Sequence, residues 1–293
     1  MKHYYEAYED RYQTIHALGH AWSSDRPTPI VGEILARYGV PKTASLLELG
    51  CGEGRDALPL LRTGWNLLAT DLSPEAVAWC RKLAPDRADR FRVLDCLGGE
   101  LPTRSHIPDY PNIELPENTP APNCPGGDIP ENAPAPNGPG GELPENAKAP
   151  DCPGGELPEN AQAPDCPGSA LPERFDFIYA VAVLHMLTED ADRARFFAFI
   201  RDHLTKEGLA LVCAMGDGER ELRSDPARAF DPAERDHPAG PITVAATTCR
   251  IVSFDTLTRE IQTAGLSILE TGLTPSPPDF DRLMYAVVSP FRP

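Results

Sequence analysis

Long apolar runs are missing from this 293-residue chain. No stretch approaches the roughly 18–20 apolar residues that a membrane-spanning helix needs, so no membrane partner is expected. The opening residues Met1-Lys2-His3-Tyr4-Tyr5-Glu6 lack the apolar centre of a secretion signal. Paired cysteine spacing is missing as well: the eight cysteines include no Cys-x-x-Cys. The thiols therefore read as reduced, in a cytoplasmic protein without a metal site. Basic residues are scarce, 27 Lys and Arg against 44 Asp and Glu, a net charge of −17. Most of such a surface repels a phosphate backbone, and no nucleic-acid partner is expected.

Proline is in excess: the chain has 33, where average usage near ~5% would give roughly 15. Residues 98–173 hold 18 of them, with 10 Gly, 13 acids and only Arg104 and Lys148 as basic residues. A 14-residue unit recurs there. Gly140-Gly-Glu-Leu-Pro-Glu-Asn-Ala-Lys-Ala-Pro-Asp-Cys-Pro153 and the unit that follows, Gly154 to Pro167, differ only at Lys148/Gln162. Leu or Ile recurs at 101, 115, 129, 143, 157 and 171. About one large aliphatic per unit buries too little to offset an ordering cost of roughly 1–2 kcal/mol per residue. Residues 98–167 are accordingly expected to be a flexible insertion rich in turns and polyproline II. Excising those 70 residues joins Leu97 to Gly168 and leaves a short connection between two strands. The insertion thus interrupts one domain, 28–97 and 168–293, preceded by a separate segment at 1–27.

On either side of the insertion, strand and helix signals alternate. Apolar runs at 45–49, 67–70, 92–94, 177–181 and 209–214 read as strands. Ser73-Pro74-Glu75, Glu189 and Ser253 open helices, and Gly265 closes the last. Residues 267–271 and 283–289 read as final strands with no helix between them, hence antiparallel. The pattern predicts an α/β fold: a Rossmann-like, doubly wound, mostly parallel seven-stranded sheet with an antiparallel last strand. Residues 216–249, with Asp225-Pro, Asp231-Pro and His237-Pro, read as a long loop.

In such a sheet a ligand binds beyond the carboxyl ends of the strands. Gly50, Gly52 and Gly54 stand at the first strand-to-helix turn, where a missing Cβ lets backbone approach a ligand. Asp71 ends the second strand, placed to accept hydrogen bonds from ribose hydroxyls, and Asp95 ends the third, near an adenine edge. Leu46-Leu-Glu-Leu-Gly-Cys-Gly-Glu-Gly54 resembles the first motif of the class I S-adenosylmethionine-dependent methyltransferases. The resemblance spans roughly 28–97 and 168–289. It implies S-adenosyl-L-methionine as cofactor, with Glu48 near its methionine part, Asp71 on ribose, and Asp95 and Cys96 beside adenine. Gly50, Cys51, Gly52, Gly54, Asp56 and Leu72 complete the implied cofactor set. Gly54-Arg55-Asp56-Ala57 is similar to members that modify small molecules, so a small-molecule acceptor methylated on O, N or S is expected.

Methyl transfer is an in-line displacement in which alignment supplies much of the rate. A base helps when the acceptor is a hydroxyl, and His185, just after the fourth strand, is the candidate base or substrate contact. Tyr5, Tyr8, Tyr12 and His16 share one face at helical spacing. That spacing reads as an amphipathic helix packed on the domain, while the family resemblance implies an aromatic N-terminal lid over the acceptor, which makes Tyr8, Tyr12, His16 and Trp22 candidate substrate residues. Met215, leaving the fifth strand, is a further one. Two alternatives stand beside this reading: a protein methyltransferase, and a non-catalytic module that binds the cofactor or presents the repeat. A nucleic-acid amino-methyltransferase would carry Asn/Asp-Pro-Pro-aromatic after the fourth strand, where this chain has Ala180-Val-Ala-Val183.

Overall fold

A computed structural model describes residues 2–101, 173–275 and 282–291. Nearly all of the repeat, 102–167, lies outside the described residues, and so does its expected flexibility. The chain begins with a 3-10 turn at Tyr4–Glu6 and helix α1, Ala7–Ala17. Helix α2 (Pro29–Arg37) precedes strand β1 (Leu46–Leu49), α3 (Ala57–Arg62), β2 (Leu67–Asp71), α4 (Pro74–Leu83) and β3 (Phe91–Val93). Beyond the insertion come β4 (Phe175–Val181), α5 (Asp190–His203) and β5 (Leu204–Met215). Short strands β6 (Leu222–Arg223), β7 (Pro232–Arg235), β8 (Ile242–Ala245) and β9 (Arg250–Ile251) lead to α6 (Phe254–Thr263), β10 (Leu266–Thr274) and β11 (Leu283–Pro290).

The main sheet has seven strands in the order β10-β11-β5-β4-β1-β2-β3. Six strands run in one direction, and β11 alone runs against them, pairing antiparallel with both β5 and β10. Both faces are covered, which is why β1 is buried throughout and its sequence is an apolar run rather than an alternation. Ile34 and Leu35 of α2, Leu58 and Leu61 of α3, and Val77 and Cys80 of α4 pack with Leu46, Phe177 and Leu211 on one face. Phe196 and Ile200 of α5, with Leu257 and Ile261 of α6, pack with Leu47, Ile178 and Val212 on the other.

Local chemistry sets the helix starts. Ser73 Oγ accepts from Ala76 N at 3.0 Å ahead of Pro74, and Ser253 Oγ accepts from Thr256 N at 3.2 Å. Gly265 closes α6 with φ +79°.

Three features depart from the sequence reading. Helix α2, not anticipated, starts at Pro29 and buries Ile30, Val31, Ile34 and Leu35. The third strand ends at Val93, so Asp95 lies two residues past it. The expected loop at 216–249 contains β6 and the hairpin β7–β8, paired in register from Pro232↔Ala245 to Arg235↔Ile242. Pro232 is tolerated because it opens a strand of a two-stranded ribbon, where a donor can be missing.

Candidate functional site

Strand order reverses between β1 and β4, since β1 leads outward to β2 and β4 to β5. At the carboxyl ends of these strands lies a cavity of about 510 Å³. Its floor is made by backbone that only glycine can supply. Gly50 has φ +74°, and a Cβ there would stand 2.3 Å from Val183 Cγ2. Gly52 has φ +51°, and its Cβ would meet the Tyr12 hydroxyl at 2.7 Å. Gly54 (φ +85°) does not line the cavity; its missing Cβ makes room for Leu58 and Cys80, closing the turn onto α3 and α4. Opposite, Ala182 is a non-glycine residue at φ 59°, held by Ala182 N–H donating to Cys213 O at 3.0 Å. This left-handed step turns the chain after β4 so that Val183 closes over Gly50.

Strand-end acids surround that floor. Asp71 accepts from Gly52 N at 2.7 Å through Oδ2 and from Ser73 N at 2.8 Å through Oδ1. Burial pushes its carboxyl up to about 6 against the pull of those two N–H groups. Glu48 accepts from the Tyr179 hydroxyl at 3.0 Å, and burial followed by the charge of Asp56 holds its carboxyl well above the usual range. Asp56 anchors the approach to α2, accepting from Thr28 N at 2.5 Å and Thr28 Oγ1 at 3.0 Å. Asp95 Oδ1 accepts from Leu97 N at 2.8 Å and shapes the turn after β3. Leu72, Asp95 and Cys96 line the cavity together with Glu48, Cys51, Asp56 and Asp71. The thiols there are weak acids: burial pushes Cys96 up to about 12, and contact with Cys80 plus burial raises Cys51.

The N-terminal segment covers the cavity: Tyr5, Tyr8, Tyr12 and Trp22 all line it. Glu53, in the glycine turn itself, latches this cover. Its Oε1 accepts from Trp22 N at 2.6 Å, and its Oε2 accepts from Ser23 N at 2.6 Å and Ser23 Oγ at 2.8 Å. His16 does not line the cavity. Its ring stacks on Trp79 at 4.0 Å, with Nε2 facing Glu53 at 2.8 Å and Nδ1 facing Glu75 at 2.9 Å. At the far end Tyr4 donates to Asp192 at 2.7 Å and accepts from Thr188 N and Glu189 N, serving the start of α5 in place of an N-cap side chain.

Arg11 is the second latch. It is 5% exposed and donates to the carbonyls of Ala245 at 2.8 Å and Ala246 at 2.9 Å and to Thr247 Oγ1 at 2.8 Å, tying α1 to the end of β8. Its guanidinium lies over the rings of Tyr8 at 4.9 Å and Trp22 at 4.5 Å. Neither Glu53 nor Arg11 was expected from the sequence. The signals were present: an acid inside the glycine turn, and a cation three residues after Tyr8 on a helix.

His185 lines the cavity and is 3% exposed. Burial, then the charges of Arg193 and Arg11, push its imidazole down to about 3. The ring is therefore neutral at physiological pH and a weak proton acceptor, which argues against the role of base. Met215 also departs from expectation. It ends β5 paired with Leu283 and packs against the core on the α2–α4 face, away from the cavity. Among the described residues no group of three His, Cys, Asp or Glu is arranged to hold a metal ion, and no helix is long and apolar enough to cross a membrane.

Comparison with known proteins places this arrangement. Residues 22–271 match a family described as a methyltransferase domain. No curated protein matches the sequence. Solved structures share the fold at low identity. The Burkholderia thailandensis 1,6-didemethyltoxoflavin-N1-methyltransferase, with its acceptor and S-adenosylhomocysteine bound, is 14% identical (TM-score 0.55, 99% of this chain and 89% of that one). The CcbJ methyltransferase of Streptomyces caelestis is also 14% identical (TM-score 0.53, 97% and 99%). The glycopeptide N-methyltransferase MtfA is 17% identical (TM-score 0.52, 92% and 91%). With most of its length under the family match and the seven-stranded sheet of these enzymes, the chain belongs to the class I S-adenosylmethionine-dependent methyltransferases.

Proposed function

We propose that this chain transfers a methyl group from S-adenosylmethionine to a small-molecule acceptor held between the glycine floor and the aromatic cover. One observation carries the reading. The cavity at the β1–β4 switch point lies under a segment latched to the glycine turn through Glu53, an arrangement that favours a small acceptor over a polymer chain. The volume, about 510 Å³, must hold cofactor and acceptor together, which suits a small molecule better than a protein chain.

The residues present fit the cofactor. Gly50 and Gly52 leave room where a Cβ would collide, Asp71 is a buried acceptor beside the turn, and the floor's acids suit a cationic ligand. Asp71 would hold the ribose hydroxyls, Asp95 and Cys96 would border the adenine, and Glu48 would lie near the methionine part. Bound S-adenosylmethionine supplies a methyl carbon that a lone pair on the acceptor attacks as the carbon–sulfur bond breaks and its electron pair stays on sulfur. The chain's own work is alignment and exclusion of water by the cover. Tyr8, Tyr12 and Trp22 flank the acceptor, and neutral His185 contributes a polar wall that positions it.

Incubation of the purified protein with methyl-labelled S-adenosylmethionine and a metabolite extract tests this. Label should pass to a small product, and calorimetry should show cofactor binding that Asp71→Ala abolishes. Binding without any transfer would favour a non-catalytic module, and label on protein alone would favour a protein methyltransferase.

A further inference from the structure

The cavity is electrically lopsided. Glu48, Glu53, Asp56, Asp71 and Asp95 line its floor with Arg55 beside Asp56, whereas the cover brings the buried guanidinium of Arg11 together with Lys2, Glu6 and Glu9, Lys2 being exposed and paired with Asp10. Arg11 is surrounded by neutral partners only: two carbonyls, the Thr247 hydroxyl and the rings of Tyr8 and Trp22. Among the described residues no carboxylate pairs with it, and the other cation that acts on it, Arg235, repels it. The acids of the cover are engaged elsewhere: Glu6 accepts from His3 N, and Glu9 accepts from Ser73 Oγ and Glu75 N. Buried charges are ordinarily paired. One of these partners, the β-branched Thr247, sits at φ 61°, a strained backbone conformation, with its hydroxyl accepting from Arg11 and its N–H donating to Ala229 O.

We propose that Arg11 binds an anionic group of the methyl acceptor, and that the acceptor is a small planar aromatic or heteroaromatic acid. This rests on the methyl-transfer reading above. The flat, aromatic lining contributed by Tyr8, Tyr12 and Trp22 suits a ring, and the guanidinium presented among them suits a carboxylate or an acidic enol. The methyl group goes to a different atom of the acceptor, so the anion survives in the product. Like charge on the floor turns such an acceptor toward the cover and leaves the acid-lined side to the cationic cofactor.

The full chain is incubated with methyl-labelled S-adenosylmethionine and a small-molecule metabolite extract, and labelled products are separated by charge at pH 7. Label should run with the anions. Arg11→Met should raise KM for the purified anionic acceptor about tenfold or more, with kcat changed less, and Arg11→Lys should fall between. Affinity for S-adenosylhomocysteine, measured by calorimetry, should stay within threefold in both variants. Label in the neutral or cationic fraction would overturn the proposal while leaving methyl transfer intact. An unchanged KM in Arg11→Met would overturn it as well. No label in any small molecule would overturn both readings together. If Arg11→Met fails to fold, Arg11→Lys carries the KM test, and an unchanged KM there overturns the role of Arg11, while the charge of the wild-type product tests the acceptor class independently.

Discussion

The floor and the cover of the cavity are built on opposite principles. The floor is backbone: Gly50 and Gly52 at positive φ, with Asp71 fastening the turn through N–H groups. The cover is side chain: α1 and the residues after it are held by Glu53 and Arg11, whose hydrogen-bond partners lie 30 to 236 positions away in sequence. A backbone site tolerates almost no substitution, because the chain itself occupies the space. A side-chain cover can be loosened one bond at a time. The floor should therefore decide whether the cofactor binds, and the cover what is methylated and how tightly the site closes.

Substitutions can break or sharpen that contrast. The largest effect is expected at Gly50. An added Cβ costs about 1–2 kcal/mol for the left-handed backbone and roughly 1–3 kcal/mol more for overlap with Val183. Gly50→Ala should lower Tm markedly and abolish measurable S-adenosylhomocysteine binding by calorimetry; wild-type values would refute the account of the floor. Next comes Asp71→Asn. Hydrogen bonds to a charged group are worth about 1.5–3 kcal/mol, so cofactor affinity should fall roughly 10- to 100-fold.

The same residue sets a pH dependence. With its carboxyl raised to about 6 from the ordinary 3.8, Asp71 is ionised only above that point in the folded protein. Cofactor affinity should drop as pH falls from 7 to 5, and Asp71→Asn should flatten that limb. In the same window the folded state binds more protons than the unfolded chain, so this group weakens folding as pH rises from about 4 to 6.

The cover should respond more mildly. Glu53→Gln keeps a hydrogen-bond acceptor but removes the charge facing His16, Trp22 N and Ser23 N. Limited proteolysis should then cut within residues 1–27 faster than in the wild type, while cofactor affinity changes less than tenfold. His185→Asn should lower kcat/KM by less than about tenfold, against the roughly 10²–10⁴ that loss of a general base costs. The kcat profile should also lack a limb near pH 6.5, because burial and the neighbouring arginines keep the ring neutral down to about 3. The smallest effect is expected from removing residues 98–167. Leu101, which packs against the core on the α5–α6 face, is then replaced in sequence position by Leu171, five 14-residue units later. Cofactor affinity should stay within about threefold, a change under ~1 kcal/mol.

What could be read from residues alone follows a physical division. The apolar runs of β1, β2, β4 and β5, the capping serines at 73 and 253, and the glycine turn are local signals, each set by neighbours within a few positions. They were enough to predict the doubly wound sheet, its antiparallel last strand, and a cavity at the ends of β1 and β2. That Tyr8 and Tyr12 share a helix face had a local basis too, since helical spacing sets it, whereas a lid over the site was implied by the family resemblance alone.

Glu53 and Arg11 are different. Nothing within a turn of either shows that one will accept from Trp22 and Ser23 or that the other will face the carbonyls of β8. His16 and Met215 were placed in the site by spacing and strand end, and packing turned them elsewhere, toward Trp79 and toward the core. Nor could the surroundings of His185 be judged from its position at a strand end: the burial and the two arginines that lower its imidazole come from α1 and α5. The sequence by itself determined the class of fold and the glycine floor, because backbone conformation is decided by local sterics. Only the tertiary structure decided the charge and lining of the covered side of the cavity, because those depend on which distant groups are packed around one volume.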